Sequence, residues 1–246
     1  GFLPSIGLAI GPDTRITYDL EKTRVEVPFD RGIVVLNGDF DTVPRSRFLG
    51  EPGDRDTVAR ATGHQLRLEH DLNDDWSLLV GASHRDTLLT GFSSDAETVA
   101  SRQMLYVDGH SRSRRYDAEH SVLRAELSGQ FETGALRHRI LIGGDFDQFE
   151  YDNYFTRFRP PAVSSVPSNE AGYVIDIDNP VYGQYPLPDT TVITNRLDTQ
   201  RSFGFYVQDQ IELTDRLQIR IGGRYDNLRL ETDNSLSAVL SKRSRS

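Results

Sequence analysis

Between Ser202 and Glu231, apolar side chains fall on every second position and charged or amide side chains fall between them. Phe203, Phe205, Val207, Ile211 and Leu213 alternate with Gly204, Tyr206, Gln208, Gln210 and Glu212. After Thr214-Asp215-Arg216 the pattern resumes, with Leu217, Ile219, Ile221, Gly223 and Tyr225 set against Gln218, Arg220, Gly222, Arg224 and Asp226. A period of two marks a strand with one face turned from water, and two such runs across a short polar turn predict a hairpin. Asp209 interrupts the apolar face. A carboxylate is costly there, so Asp209 is expected near an interface or beside a local partner.

Two further segments follow the same grammar. Leu66–Leu72 leads through Asn73-Asp74-Asp75 to Trp76, and Val122–Phe131 leads through Glu132-Thr133-Gly134-Ala135 to Leu136–Phe149. The ascending strands align on Gly81, Gly143 and Gly222, but these glycines are unevenly spaced, so the chain is no fixed-period solenoid. The connections are short on one side and long on the other, where Pro28 to about Asp56 and Asp152 to about Asp198 are expected as loops. About eight strands, each able to reach the roughly 9–11 residues that cross a bilayer, with short turns at one end and long loops at the other, predict an antiparallel transmembrane β-barrel. Phe149, Tyr151, Tyr154, Phe155 and Phe158 near the long loops and Trp76 by a short turn fit aromatic girdles. A soluble β-sandwich also alternates with a period of two, though with shorter strands and balanced loops, and it stays open at this point.

Composition narrows the choice. The net charge is −9, which argues against a nucleic-acid partner. There is no cysteine, and no apolar run nears the length of a membrane helix. The six histidines form no HExxH or comparable metal motif, so no metal site is expected. Asp176-Ile177-Asp178-Asn179 lacks the glycine and distal glutamate of an EF-hand loop and reads as an ordinary acidic loop. Asp145 and Asp147 form a carboxylate pair, but chance pairs are expected among 37 acidic residues, and no nucleophile-elbow or nucleotide-binding motif is present, so no enzyme is expected. Arg112, Arg114 and Arg115 read as a solvated loop, with lipopolysaccharide phosphates as a second reading. Residues 1–10 alternate little and would close a small barrel poorly. Residues 235–246 are expected as a truncated or non-native tail without strand character, leaving 1–234 as the barrel segment.

Tyr206-Val207-Gln208-Asp209-Gln210 with Ile221-Gly222-Gly223-Arg224-Tyr225-Asp226 resembles the barrel of TonB-dependent siderophore receptors, the ferrichrome-type branch above all. Asp30-Arg31-Gly32-Ile33, Val43 through Pro52, His138 through Asp145 and Asn179-Pro180-Val181-Tyr182-Gly183 resemble the same family in the same order. The resemblance implies a 22-stranded barrel in the outer membrane, closed by a plug domain that follows a TonB box; neither plug nor TonB box is expected within this chain. It further implies a monomer with no cofactor of its own, uptake of an iron(III)–siderophore, and coupling to the TonB–ExbB–ExbD complex through the plug. In such a receptor the ligand is collected by aromatics and fixed donors on external loops. Tyr151, Tyr154, Phe155, Arg157, Phe158, Tyr173, Tyr182 and Tyr185, with Arg159 beside them, are the candidates. The competing role for each is to form the girdle and pack the loop on itself. A small autonomous barrel serving as an adhesin or structural protein is the alternative to the receptor.

Overall fold

The computed structural model describes residues 1–30, 32–33, 35, 38–54, 56–94, 98–100, 103–105, 112–158, 174–183, 189–237 and 241–245. These described residues form twelve strands: β1 (Ser5–Ile10), β2 (Thr14–Val27), β3 (Thr57–Asn73), β4 (Trp76–Ser93), β5 (Thr98–Ala100), β6 (Gln103–Leu105), β7 (Arg112–Thr133), β8 (Leu136–Arg157), β9 (Val174–Asp176), β10 (Thr191–Thr214), β11 (Leu217–Asn234) and β12 (Ser241–Arg245). Nine of them form one antiparallel sheet in the order β1-β2-β3-β4-β7-β8-β10-β11-β12, and β5, β6 and β9 form a small second sheet within the long connections.

Short turns join β3 to β4, β7 to β8 and β10 to β11, as the hairpin pattern predicts, and a fourth, not predicted, joins β1 to β2. Their chemistry is local. The Asn73 side chain accepts from the Asp75 amide at 2.9 Å and Thr214 Oγ1 from the Arg216 amide at 3.2 Å, contacts that hold a tight turn closed. Gly134 opens the β7–β8 turn at a φ of 64°, a conformation that costs a side-chain-bearing residue far more.

The long connections depart from expectation in one place. The first, 28–56, is a loop as predicted. The other was placed from Asp152 to about Asp198, but β8 continues to Arg157 and β10 begins at Thr191, paired from Arg157↔Thr191 onward with a single bulge at Ile193. The apolar alternation fades there because both faces stand in water beyond the membrane, while the backbone ladder continues. For the same reason Arg112, Arg114 and Arg115 lie on β7 and not in a loop. Ser241–Arg245, in the segment expected to lack strand character, pairs with β11, and Ser5–Ile10 pairs with β2.

The short turns do not share one register line. Thr14 pairs with His70 and β3 runs three residues further; Trp76 pairs with Gly129 and β7 runs four further; Arg137 pairs with Glu212 and β10 runs two further. The drift keeps one sign. About eight or nine residues at about 3.3 Å, over six strand spacings of about 4.8 Å, require a strand tilt of about 45° if the turns lie at one level, and membrane barrels tilt by about that much.

One face of the sheet is apolar from β1 to β11. Register aligns Leu8, Ile16, Leu68, Val80, Ala125, Gly144, Phe205 and Tyr225 in one row. Phe205 is 63% and Ile221 62% exposed, and the buried apolar residues among those described are Val43, Leu49, Ala61, Ile175 and Ile177, all but Ala61 in the connections. A β-sandwich buries its apolar face, and this one is uncovered, so the sandwich reading fails. On β8 the apolar stretch runs from His138 to Gln148. Ten residue steps at that tilt rise about 23 Å, against about 25 Å for the apolar band of an outer-membrane barrel. Asp209, at the lower rim of this band, accepts from His138 Nδ1 at 2.8 Å, and the His138 ring stacks on Phe131 at 4.7 Å. One oxygen of the interrupting carboxylate is thus paired, while Asp209 Oδ1 and His138 Nε2 are buried without a hydrogen-bond partner among the described residues.

Candidate functional site

The opposite, wet face is held together by side chains that reach across an entire strand. Tyr206 on β10 lies over Gly143 of β8 and donates its hydroxyl hydrogen to Glu126 of β7, while Arg124 Nε donates to the same hydroxyl at 3.2 Å. Arg124 and Glu126 are also ion-paired. One strand along, Arg224 of β11 passes over Gly204 of β10 and grips both oxygens of Asp145 on β8, at 2.7 and 2.8 Å. A bidentate guanidinium–carboxylate pair fixes orientation as well as distance. The glycines make this possible: a Cβ on Gly143 would sit 2.4 Å from Tyr206 Cζ, and one on Gly204 2.2 Å from Arg224 Nη2. Asp145 is thus committed to a structural clamp and not to a reacting pair. This network was not visible in the sequence, because the partners are far apart along the chain and only the register aligns them.

Above the apolar band the same face carries an aromatic wall. His120 meets Phe149 edge-on at 5.9 Å, Phe149 stacks on Tyr151 at 6.4 Å, and Tyr151 lies 6.1 Å from Tyr116. Asp147 is bonded to the His120 ring and orients it. Tyr151, Phe155 and Arg157 share this face by register, whereas Tyr154 falls on the opposite one. Phe158 follows the last residue of β8. Tyr151, Tyr154, Phe155 and Arg157, expected on a loop, therefore stand on a paired strand, and a ladder fixes their positions. Tyr173, Tyr185 and Arg159 lie outside the described residues.

Among the described residues, parts of the long connections pack together beyond the ends of the strands. Val43, Leu49, Ile175 and Ile177 form their core. Arg114, on the wet face of β7, donates to Ser93 Oγ at 2.9 Å and lies 4.2 Å over the Phe29 ring, which seats the start of the 28–56 connection on that face. Arg115 turns the other way, to Asp117 and Asp152. Tyr182 donates to the Phe48 carbonyl at 2.6 Å, and the Gly183 amide donates to Glu51 at 2.9 Å. Burial pushes the Tyr182 phenol above its ordinary value; Arg47 opposes the shift and Glu51 adds to it. The Asp176 side chain accepts from the Asp178 and Asn179 amides, so it shapes its own turn. The small sheet β5-β6-β9 ties the β4–β7 connection to the β8–β10 connection.

An open, tilted sheet with a lipid-height apolar face, short turns below and an aromatic wall above is a barrel segment, and comparison with known families agrees. A family model described as "TonB dependent receptor-like, beta-barrel" matches residues 1–245. The chain belongs to this family. It is thus an outer-membrane segment from a family of receptors. The metal-pseudopaline receptor CntO of Pseudomonas aeruginosa is 31% identical over 231 residues, which is 92% of this chain and 30% of that protein. The ferrichrome outer membrane transporter/phage receptor of Escherichia coli K12 is 26% identical over 196 residues, 71% of this chain and 25% of that protein. The crystal structure of the siderophore receptor PiuA from Acinetobacter baumannii superposes with a TM-score of 0.76 at 18% identity, covering 98% of this chain and 37% of that one. The chain spans about a third of the length of CntO. The ferrichrome-type resemblance is thus real, while the match to CntO extends over more of the chain.

Proposed function

We propose that this segment belongs to a monomeric outer-membrane receptor that takes up iron(III)–siderophore complexes in a TonB-dependent manner. The observation that supports this most directly is the aromatic wall Tyr116–Tyr151–Phe149–His120, held on paired strands on the wet face of the barrel. Rigid aromatic surface at the mouth of a barrel collects a bulky, partly apolar chelate at low entropic cost. Relatives named for metal-pseudopaline and for ferrichrome have the same barrel, and both names describe metal chelates or their transporters. The protein's part is recognition and passage, with no covalent step. Tyr151, Phe155, Arg157 and Tyr182 are the ligand-facing candidates that the geometry retains among the described residues; Tyr154 is assigned to the outer surface, where the apolar band meets lipid and lipopolysaccharide lies above it. Coupling to TonB–ExbB–ExbD runs through a plug that occupies the wet lumen.

The test is uptake of radioactive iron presented as defined siderophores to cells that depend on the complete receptor. Accumulation that requires both the receptor and TonB is expected. Iron uptake no different from receptor-free cells across hydroxamate, catecholate and opine-type chelates would refute the reading.

A further inference from the structure

The lipid-facing side of the sheet is not equally tall on every strand. On β7, β8 and β10 its apolar residues reach about ten positions up from the short turns, to Leu123, Phe146 and Phe203. On β2, β3 and β4 they stop after about six or seven, at Leu20, Leu66 and Ala82. The deficit of about four residues is about 9 Å of height, at about 3.3 Å per residue and a tilt of about 45°. A hydrogen-bonded polar string takes the place of the missing apolar surface. Tyr18 bonds through its hydroxyl to His64 Nδ1 at 2.7 Å, and His84 lies directly across from His64. The His84 ring meets Ser121 Oγ at 2.8 Å and Asp86 at 3.2 Å. The His84 and Asp86 side chains are 43% and 49% exposed, so they are open to whatever surrounds the barrel.

Charge collects at and above the string. Lys22 stands on the same face, and Arg24 lies directly opposite Arg60. Like charges across a strand pair repel. Arg24 is ion-paired with Glu26, whereas Lys22 and Arg60 have no ion-pair partner among the described residues. These groups stand at the height where β7 and β8 still present hydrocarbon-facing side chains. Holding a carboxylate and an ammonium in hydrocarbon is expensive, whereas thinning the bilayer costs little per ångström. Thinning therefore wins.

We infer that the outer wall over β2–β4 is a contact surface for the hydrated, anionic headgroup layer of the outer leaflet, which descends about 9 Å there. Charge decides the occupant, because anionic headgroups supply the counter-charge that Lys22 and Arg60 lack. The barrel thus meets a thin membrane on one side and a full-height one on the other. This depends on the family's place in the outer membrane and not on what the receptor transports.

The complete receptor, in a background without other cysteines, is reconstituted into vesicles of phosphatidylcholine and phosphatidylglycerol. A nitroxide is attached through Thr62→Cys or, at matched height on the tall side, through Leu123→Cys or Phe146→Cys. Collision with a water-soluble nickel chelate is compared with collision with oxygen, which partitions into hydrocarbon. The nickel-to-oxygen ratio is expected to be several-fold higher at the Thr62 site than at either tall-side site. In His64→Leu/His84→Leu/Asp86→Leu the Thr62-site ratio is expected to fall several-fold, as hydrocarbon closes over the wall. Equal ratios at the three sites would overturn the inference, as would an unchanged ratio in a folded triple variant. Shielding of the Thr62 site from both reagents would also overturn it, because protein would then cover the patch. The comparison of sites keeps every residue of the string in place, so a triple variant that fails to fold does not obscure it.

Discussion

His138 and Asp209 form a polar pair on the lipid-facing side of the sheet, and removing one partner isolates what the pair does. Asp209 lies in a row with Ile140 and Ile221, five residues before the end of β10, and its carboxylate takes the Nδ1 hydrogen of His138. In His138→Ala the carboxylate loses a charge-assisted hydrogen bond, worth about 1.5–3 kcal/mol, and Phe131 loses its stacked neighbour, worth about 0.5–1.5 kcal/mol. Full burial of an unpaired charge would cost more, but the Asp209 side chain is 26% exposed and stands near the rim of the membrane. The expected destabilisation is therefore about 2–4 kcal/mol. Asp209→Val in the same background removes the orphaned charge and restores the apolar alternation, so His138→Ala/Asp209→Val is expected to return most of the loss. The assay is urea unfolding of the complete receptor in lipid vesicles, followed by tryptophan fluorescence, with all variants compared in one cycle. A His138→Ala receptor within about 0.5 kcal/mol of the parent, or a double variant no more stable than His138→Ala alone, would refute the pairing argument.

Other substitutions probe the remaining contacts. Gly143→Ala is expected to displace Tyr206, whose ring lies where the new Cβ must go, and to cost about 2 kcal/mol through the lost Glu126 bond; Tyr206→Phe in the same background should then cost nothing further in the unfolding assay. Gly129→Ala drives a Cβ to 2.3 Å from the Trp76 ring, so Trp76 fluorescence, read in a receptor whose other tryptophans are replaced, is expected to shift to the red as the indole leaves its seat; an unchanged spectrum would contradict the packing. The Tyr182 phenol is raised by burial, so the packed connections bind its proton more tightly than the unpacked chain. Their packing is then complete below the ordinary value of about 10 and is lost as pH rises through the raised one, which hydrogen exchange around residues 48–51 should report; Tyr182→Phe is expected to abolish that alkaline loosening. In the nine-stranded sheet β1 and β12 stand at opposite edges with no partner on their outer sides among the described residues. Expressed alone, the segment is expected not to form a stable monomer in lipid, because an unpaired edge leaves backbone groups unsatisfied there; recovery of a protease-resistant monomeric barrel would refute this and revive the small autonomous barrel.

What the chain determines by itself is what strand periodicity and turn chemistry encode locally. Alternation with a period of two assigned Leu217 through Asp226 to their two faces, and polar turns such as Asn73-Asp74-Asp75 placed the ends of the hairpins, because both signals arise between neighbouring residues. The same locality hid the outer parts of β8 and β10. Beyond the membrane neither face is apolar, so Asp152–Arg157 reads as loop although it is fully paired. Only the tertiary structure brought Tyr206 over Gly143 to Glu126, Asp209 to His138, and Glu51 to Gly183, which lies 132 residues away. Register and loop packing decide these contacts. They depend on pairing summed along whole strands and on where distant connections meet, and a one-residue slip would move every wet-face side chain to the lipid.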